Sequence, residues 1–203
     1  LGAQPFLATL RHAGTGLALF SGAPVQFLGQ EQTSLALALG LSGVALNVLW
    51  PQLKGRTAML AVQAVSGICF LAHYALIGAT TGSLMNLLAT LQALAAIPLG
   101  TRPGFRVVYL LTLPAIALAL AFSWTGWPSV MAALGMAGIA VGRYQLKVLP
   151  FRIILMVTIP FWVGHNLLVG SLPGLLSDTL VTASSGVGLL RVMREARRQP
   201  VAA

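Results

Sequence analysis

From Leu35 to its C-terminal region the chain is a succession of apolar runs, each closed by a short basic or glycine-rich break. Each run approaches the roughly 20 residues that an α-helix needs to cross the hydrocarbon of a bilayer. Such runs carry too few polar positions to cover the surface of a water-soluble fold. Composition agrees: 57% of the 203 residues are hydrophobic and 7% charged, against roughly 25% charged in soluble domains. The fold class is all-α and polytopic, with seven transmembrane helices expected at 34–53, 57–79, 83–99, 106–124, 128–147, 151–172 and 175–193.

Charge then orients the bundle. The breaks after the first, third and fifth helices, with the tail, hold Lys54, Arg56, Arg102, Arg106, Arg143, Lys147, Arg152 and the arginines from Arg191 onward. The breaks "GATTG", "SWTGW" and "GSLPG" hold no Lys or Arg. Because basic loops stay in the cytoplasm, the C-terminus is expected inside and the start of the first helix outside. The 12 Lys and Arg against 3 Asp and Glu are read as contacts to anionic headgroups on the cytoplasmic face, not as a nucleic-acid surface, since they sit at segment ends.

Residues 1–33 are read as an N-terminal interfacial or re-entrant segment, because "HAGTGLALFSGAPVQFLGQ" is uncharged, glycine-rich and interrupted by Pro24. An eighth, N-terminal span is the alternative. The start of the sequence lacks a basic segment followed by a compact apolar one, so no signal peptide is expected. A single cysteine, Cys69, excludes a disulfide framework or a cysteine-based metal site.

The chain also repeats itself. "FLAHYALIGATTG" and "WVGHNLLVGSLPG" align at a constant offset that pairs Phe70 with Trp162, His73 with His165, and Tyr74 with Asn166. The same offset pairs Gly78 with Gly170, Gly82 with Gly174, and Asn86 with Asp178. With small gaps the match runs backwards through "ALGLSGVA" and "ALGMAGIA", and through "PQLK" and "YQLK". Each half is then a three-helix unit, 34–99 and 128–193, joined by a linker helix in 100–127 and followed by a basic cytoplasmic tail, 194–203. The intervening helix gives the halves parallel orientation, a three-plus-one-plus-three plan with a pseudo-twofold axis along the membrane normal.

Residues 34–194, and above all "FWVGHNLLVGSLPGLLSD" with "LLRVMRE", resemble the bacterial YgjV-type inner-membrane proteins. That resemblance implies residence in the bacterial inner membrane. More remotely, the plan and the "WPQLK" that closes the first helix resemble the SWEET and PQ-loop transporters, which rock two three-helix bundles around a central pocket. The resemblance implies that Pro51 and Gln52 act as a hinge. It also implies pocket aromatics at Phe70 and Trp162 and pocket polar groups at Asn86 and Asp178. Tyr144 in place of a second-half proline, Phe70 in place of a tryptophan and Asp178 in place of an asparagine depart from the pattern.

Spacing groups the polar residues into stripes. Gln63, Ser66, Phe70 and His73 share one helical face, as do Thr158, Trp162 and His165. Asn86 with Thr90, and Asp178 with Thr182 and Ser185, make two more. Polar stripes in hydrocarbon turn inward, since unpaired polar groups facing lipid are costly. The expected binding pocket comprises Phe70, His73, Asn86, Trp162, His165, Asn166 and Asp178. Asp178 is neutral, paired with a residue such as His165, or bathed in cavity water, and it is either a proton-coupling or ligand-binding carboxylate or a polar group at a wetted helix end. The histidines either serve solute and proton or bond helices together. With no further histidine in the spans, no metal site is expected, and no cofactor. Pro160, like Pro51, is a candidate kink. Gly40, Gly43, Gly135 and Gly138 are expected to let helices approach closely.

No nucleophile with its base, phosphate loop or nucleic-acid module is present, so an enzyme is not expected. The function expected is transport of a small polar solute, sugar-like or another metabolite, by alternating access, with or without proton coupling. The alternative is a receptor or accessory protein that binds a ligand or partner chain without moving solute. A homodimer is a further expectation.

Overall fold

The computed structural model describes residues 25–27, 30–98 and 102–198. The expectation for residues 1–24, including the eighth span, lies outside the described residues. Two short strands, β1 (Val25–Phe27) and β2 (Gln30–Gln32), pair antiparallel with Val25 opposite Gln32. Three residues each, they are too short to show an alternation in the sequence. Seven α-helices follow among the described residues: α1 Ser34–Leu49, α2 Arg56–Leu76, α3 Thr80–Ala96, α4 Val107–Phe122, α5 Trp127–Tyr144, α6 Val148–Val169 and α7 Leu172–Arg198. All seven lie where apolar runs predict them. The last continues through the basic residues, so the expected tail begins as helix.

Local chemistry sets the boundaries. Thr33 caps α1, its hydroxyl accepting from Ala36 N at 3.2 Å. Pro51, which has no N–H to donate, tightens the end of α1 into the 3-10 turn Trp50–Gln52. Gly78 and Gly170 take left-handed φ values of 76° and 64° after α2 and α6, a conformation costly for residues with a Cβ. Behind them Ala79 N and Ser171 N return to the carbonyls of Tyr74 and Asn166 at 2.9 and 3.0 Å. These are the two neutral turns, built alike. Pro160 lies within α6, which continues through it.

Three segments are both long and apolar enough to cross a membrane: Ser34–Gln52, Arg56–Leu76 and Val148–Val169. Hydrophobic side chains face outward throughout the bundle, among them Leu111, Val157, Ile68 and Leu168. Trp124 and Trp127 stand exposed at the turn between α4 and α5, as tryptophans do at a membrane–water boundary. Buried positions are instead rich in polar groups, which inverts the pattern of a soluble protein.

The helices pack in a closed order. α1 touches α2 and α7, α3 touches α2 and α5, and α6 touches α5 and α7. Six helices therefore make a ring, with α4 outside it against α3 and α5. Gln92 of α3 fastens α4, its Nε2 donating to Thr112 Oγ1 at 2.7 Å.

Glycines set how closely neighbours approach. A Cβ at Gly43 would stand 2.7 Å from the Phe70 ring, and one at Gly135 would stand 2.8 Å from Trp162 Nε1. Gly40 gives the same room to His73 and Pro173, and Gly138 to Thr158. Gly43 against Phe70 and Gly135 against Trp162 stand in the same relation, whereas the residue letters align Gly40 with Gly135. Gly135→Ala is expected to cost about 1–3 kcal/mol by overpacking, seen as a lower melting temperature in detergent. Gly186→Ala, where nothing lies within 4 Å of the added carbon, is expected not to lower it. Equal melting temperatures for the two variants would contradict this account of the packing.

Candidate functional site

A cavity of about 130 Å³ lies inside the ring, lined by residues of α1, α2, α3, α5, α6 and α7 together with Trp50. Among the described residues none of α4 lines it. Its lining runs along α6 from Leu155 to Asn166, about 16 Å at 1.5 Å per residue. It is long and narrow.

Of the residues that the sequence put forward, Phe70, Asn86, Trp162, Asn166 and Asp178 line this cavity. Tyr74, the repeat counterpart of Asn166, lines it too, so all six residues of these three pairs meet in one space. Gln63, Ser66, Thr158 and Ser185 complete the inward stripes, while Thr182 is exposed.

The histidines do not line it. His73 is fully buried, with Nδ1 at 2.8 Å from Ala36 O and Nε2 at 2.9 Å from Ser171 Oγ. It ties α2 to α1 and to the turn before α7. His165 repeats the first contact, Nδ1 lying 2.9 Å from Pro128 O. Its Nε2 has no hydrogen-bond partner and rests where a Cβ on Gly82 would be, at 2.5 Å. The reason is one side chain: Ser171 stands beside His73, and the corresponding residue of the other half is Ala79. Ala79 and His165 share a second, separate recess near the neutral turns.

Asp178 is 8% exposed and lines the cavity. Its partner is Asn166 and not His165. Asn166 Nδ2 donates to Asp178 Oδ2 at 2.8 Å, and Tyr74 OH donates to Asn166 Oδ1 at 2.6 Å. Asn166 thus spends one donor and one acceptor on a chain across α2, α6 and α7, in space that glycine at position 174 leaves open for its amide. On α3, Asn86 instead donates to Gly82 O of its own helix at 2.9 Å.

The residue that sequence reasoning misplaced is Arg143. As a basic residue near a helix end it reads as a headgroup contact, yet it is 3% exposed and lines the cavity. Its Nη2 donates to Gln63 Oε1 at 3.2 Å, and Nη1 donates to Ala89 O and Gln92 Oε1. A signal was present: Gly135, Ile139 and Arg143 recur at i, i+4 and i+8, one face of α5. The positive-inside rule overrode it. Arg152 is equally buried, its Nη1 donating to Pro51 O at 2.6 Å and Nη2 to Leu53 O at 3.0 Å. Arg56 reaches the other way, to Ala96 O at 3.0 Å and Arg143 O at 2.9 Å. Arg56 and Arg152 thus satisfy carbonyls at or just past helix C-termini, where a cation is favoured.

The two expected hinge residues Pro51 and Gln52 are bound across the ring. Pro51 accepts from Arg152, and Gln52 Nε2 donates to Ser184 O and Oγ at 3.0 and 2.7 Å. Among the described residues no group of three or more His, Cys, Asp or Glu is placed to hold a metal ion.

A helical bundle with apolar outer faces and polar groups turned inward defines a helical membrane protein. The chain belongs to the Imp-YgjV family, described as bacterial inner membrane protein, whose model matches residues 34–196. No curated protein and no solved structure matches the chain significantly.

If the Ala79–Ser171 difference leaves His165 unpartnered, Ala79→Ser should stabilise the protein and Ser171→Ala should destabilise it. The expected sizes are about 1 kcal/mol and about 1–3 kcal/mol. Thermal unfolding in detergent measures both, and a stability change of the same sign in the two variants would refute the assignment.

Proposed function

We propose that the protein carries a small polar solute across the bacterial inner membrane by alternating access of two three-helix halves, α1–α3 and α5–α7, around the central cavity. The observation that carries this reading is the lining. Three helices of each half contribute, and the repeat-paired residues Phe70 and Trp162, Tyr74 and Asn166, Asn86 and Asp178 face one space. A site shared by two similar halves is what rocking requires.

The recurring contacts support the repeat. Phe70 over Gly43 and Trp162 over Gly135, and His73 with Ala36 O and His165 with Pro128 O, are separated by one offset. On this reading all seven helices span the membrane, the repeats run parallel about a pseudo-twofold axis, and α4 is the linker of a SWEET-like plan. The ends that carry Arg56, Arg143 and Arg152 meet at one side of the bundle, which supports the reading that this side and the C-terminus face the cytoplasm. A C-terminal fluorescent fusion is then expected to be bright, and an alkaline phosphatase fusion at the same point inactive. The opposite pair of results would reverse the orientation.

Aromatic faces of Phe70 and Trp162 would hold the body of the solute while amides fix its polar atoms. Asp178 is the candidate for proton coupling, being the one carboxylate among the lining residues. In proteoliposomes, Asp178→Asn is expected to abolish uptake driven by a pH gradient while leaving counterflow exchange within about threefold of the parent. Gradient-driven uptake unchanged by the substitution would rule out coupling at Asp178.

A non-transporting receptor or accessory protein is the second reading. It is favoured by one observation: Arg152 on Pro51 and Leu53, with Gln52 on Ser184, ties the two halves together beside the cavity. Saturable ligand binding without flux into liposomes would select it.

A further inference from the structure

Among the described residues that line the cavity one is cationic, Arg143, and one is a carboxylate, Asp178, and they are not each other's partner. Arg143 bonds only to neutral acceptors, the Ala89 carbonyl and the side chains of Gln63 and Gln92. Asp178 belongs to the chain through Asn166 and Tyr74. Along α2 the two levels, marked by Gln63 and Tyr74, lie about 16 Å apart at 1.5 Å per residue. At that separation neither charge neutralises the other through a hydrogen bond.

The Arg143 level has more donors than acceptors. Arg143 Nε and Gln63 Nε2 are both buried without a partner, and each can only donate. The Gln63 amide oxygen is already taken by the guanidinium. Ser185 of α7, which also lines the cavity, has a buried hydroxyl without a partner. A guanidinium presents Nε–H and one Nη–H along a single edge, the geometry that accepts both oxygens of a carboxylate. Water or a neutral hydroxyl could satisfy single donors, but neither supplies the missing charge.

From this set we infer that the solute of the proposed transport cycle is a small organic anion whose carboxylate binds Arg143 with Gln63. Its body lies toward Phe70 and Trp162. The volume of about 130 Å³ limits that body to a few carbons or one ring, since an apolar cavity of about 150 Å³ accommodates benzene. The inference rests on the transport reading for the word solute, and on the cavity alone for the carboxylate.

The test uses the full-length protein purified in detergent at low chloride. Calorimetric titration compares acetate, lactate, pyruvate and benzoate, each beside its neutral amide. At least one carboxylate is expected to bind saturably, and its amide at least tenfold more weakly. Gln63→Glu places a carboxylate of the protein itself against Arg143. It is expected to weaken carboxylate binding at least tenfold while the melting temperature does not fall. Arg143→Gln should abolish binding, with the melting temperature reporting whether the variant has folded. No binding by any of the four, amides equal to their acids, unchanged affinity in Gln63→Glu, or chloride binding as tightly as the carboxylates would each overturn the assignment. Carboxylate binding without entry into liposomes would overturn transport and leave the anion site standing. Flux of an uncharged solute with no carboxylate binding would do the reverse.

Discussion

A polar side chain in this bundle that does not bond back to its own helix, as Ser42 and Thr179 do, has only the interior in which to find a partner. The outer faces of the helices are leucine, valine and isoleucine, and hydrocarbon offers neither donor nor acceptor. The interior is therefore a set of mutual obligations. His73 joins Ala36 to Ser171, Asn166 joins Tyr74 to Asp178, and Arg152 holds the carbonyls of Pro51 and Leu53. In a family of inner membrane proteins, these bonds take over much of the cohesion that apolar burial gives a soluble domain. The cavity is what remains where the obligations are not all met.

Glycine makes those bonds reachable. Side chains as large as Phe70 and Trp162 lie against helix backbones only because Gly43 and Gly135 have no Cβ there. The same relation recurs at Gly174 beside Asn166 and at Gly82 beside Tyr74. Close approach brings the amide of Asn166 within reach of Asp178, and it confines the cavity to a narrow column. Packing and polar chemistry are thus one design, since a larger residue at any of these positions would push apart the groups that bond.

On the transport proposed above, function resides in the differences between the halves. Where the first half has Phe70, Tyr74 and Asn86 the second has Trp162, Asn166 and Asp178, and all six face the cavity. The two histidines, which match by letter, do the same structural task through Nδ1 and differ only because Ser171 has no counterpart hydroxyl at Ala79.

Much of this was legible in the letters. Seven apolar runs and their breaks placed the helices, because the length of an apolar run is a local property. Gly78 and Gly170 marked the two turns because only glycine takes positive φ there without strain. Helical spacing gave Gln63, Ser66 and Phe70 one face. What spacing could not decide was the direction of long or bifunctional side chains. Arg143 and Arg152 read as headgroup contacts, yet both fold back to acceptors on other helices that lie far away in sequence. His73 and His165 read as pocket residues, yet each reaches a carbonyl on a neighbouring helix. Sequence alone determined which faces turn inward, since that follows from hydrophobicity repeated at helical period. Only the tertiary structure decided which inward groups bond to one another and which face empty space, because that depends on distances between helices that no single helix encodes.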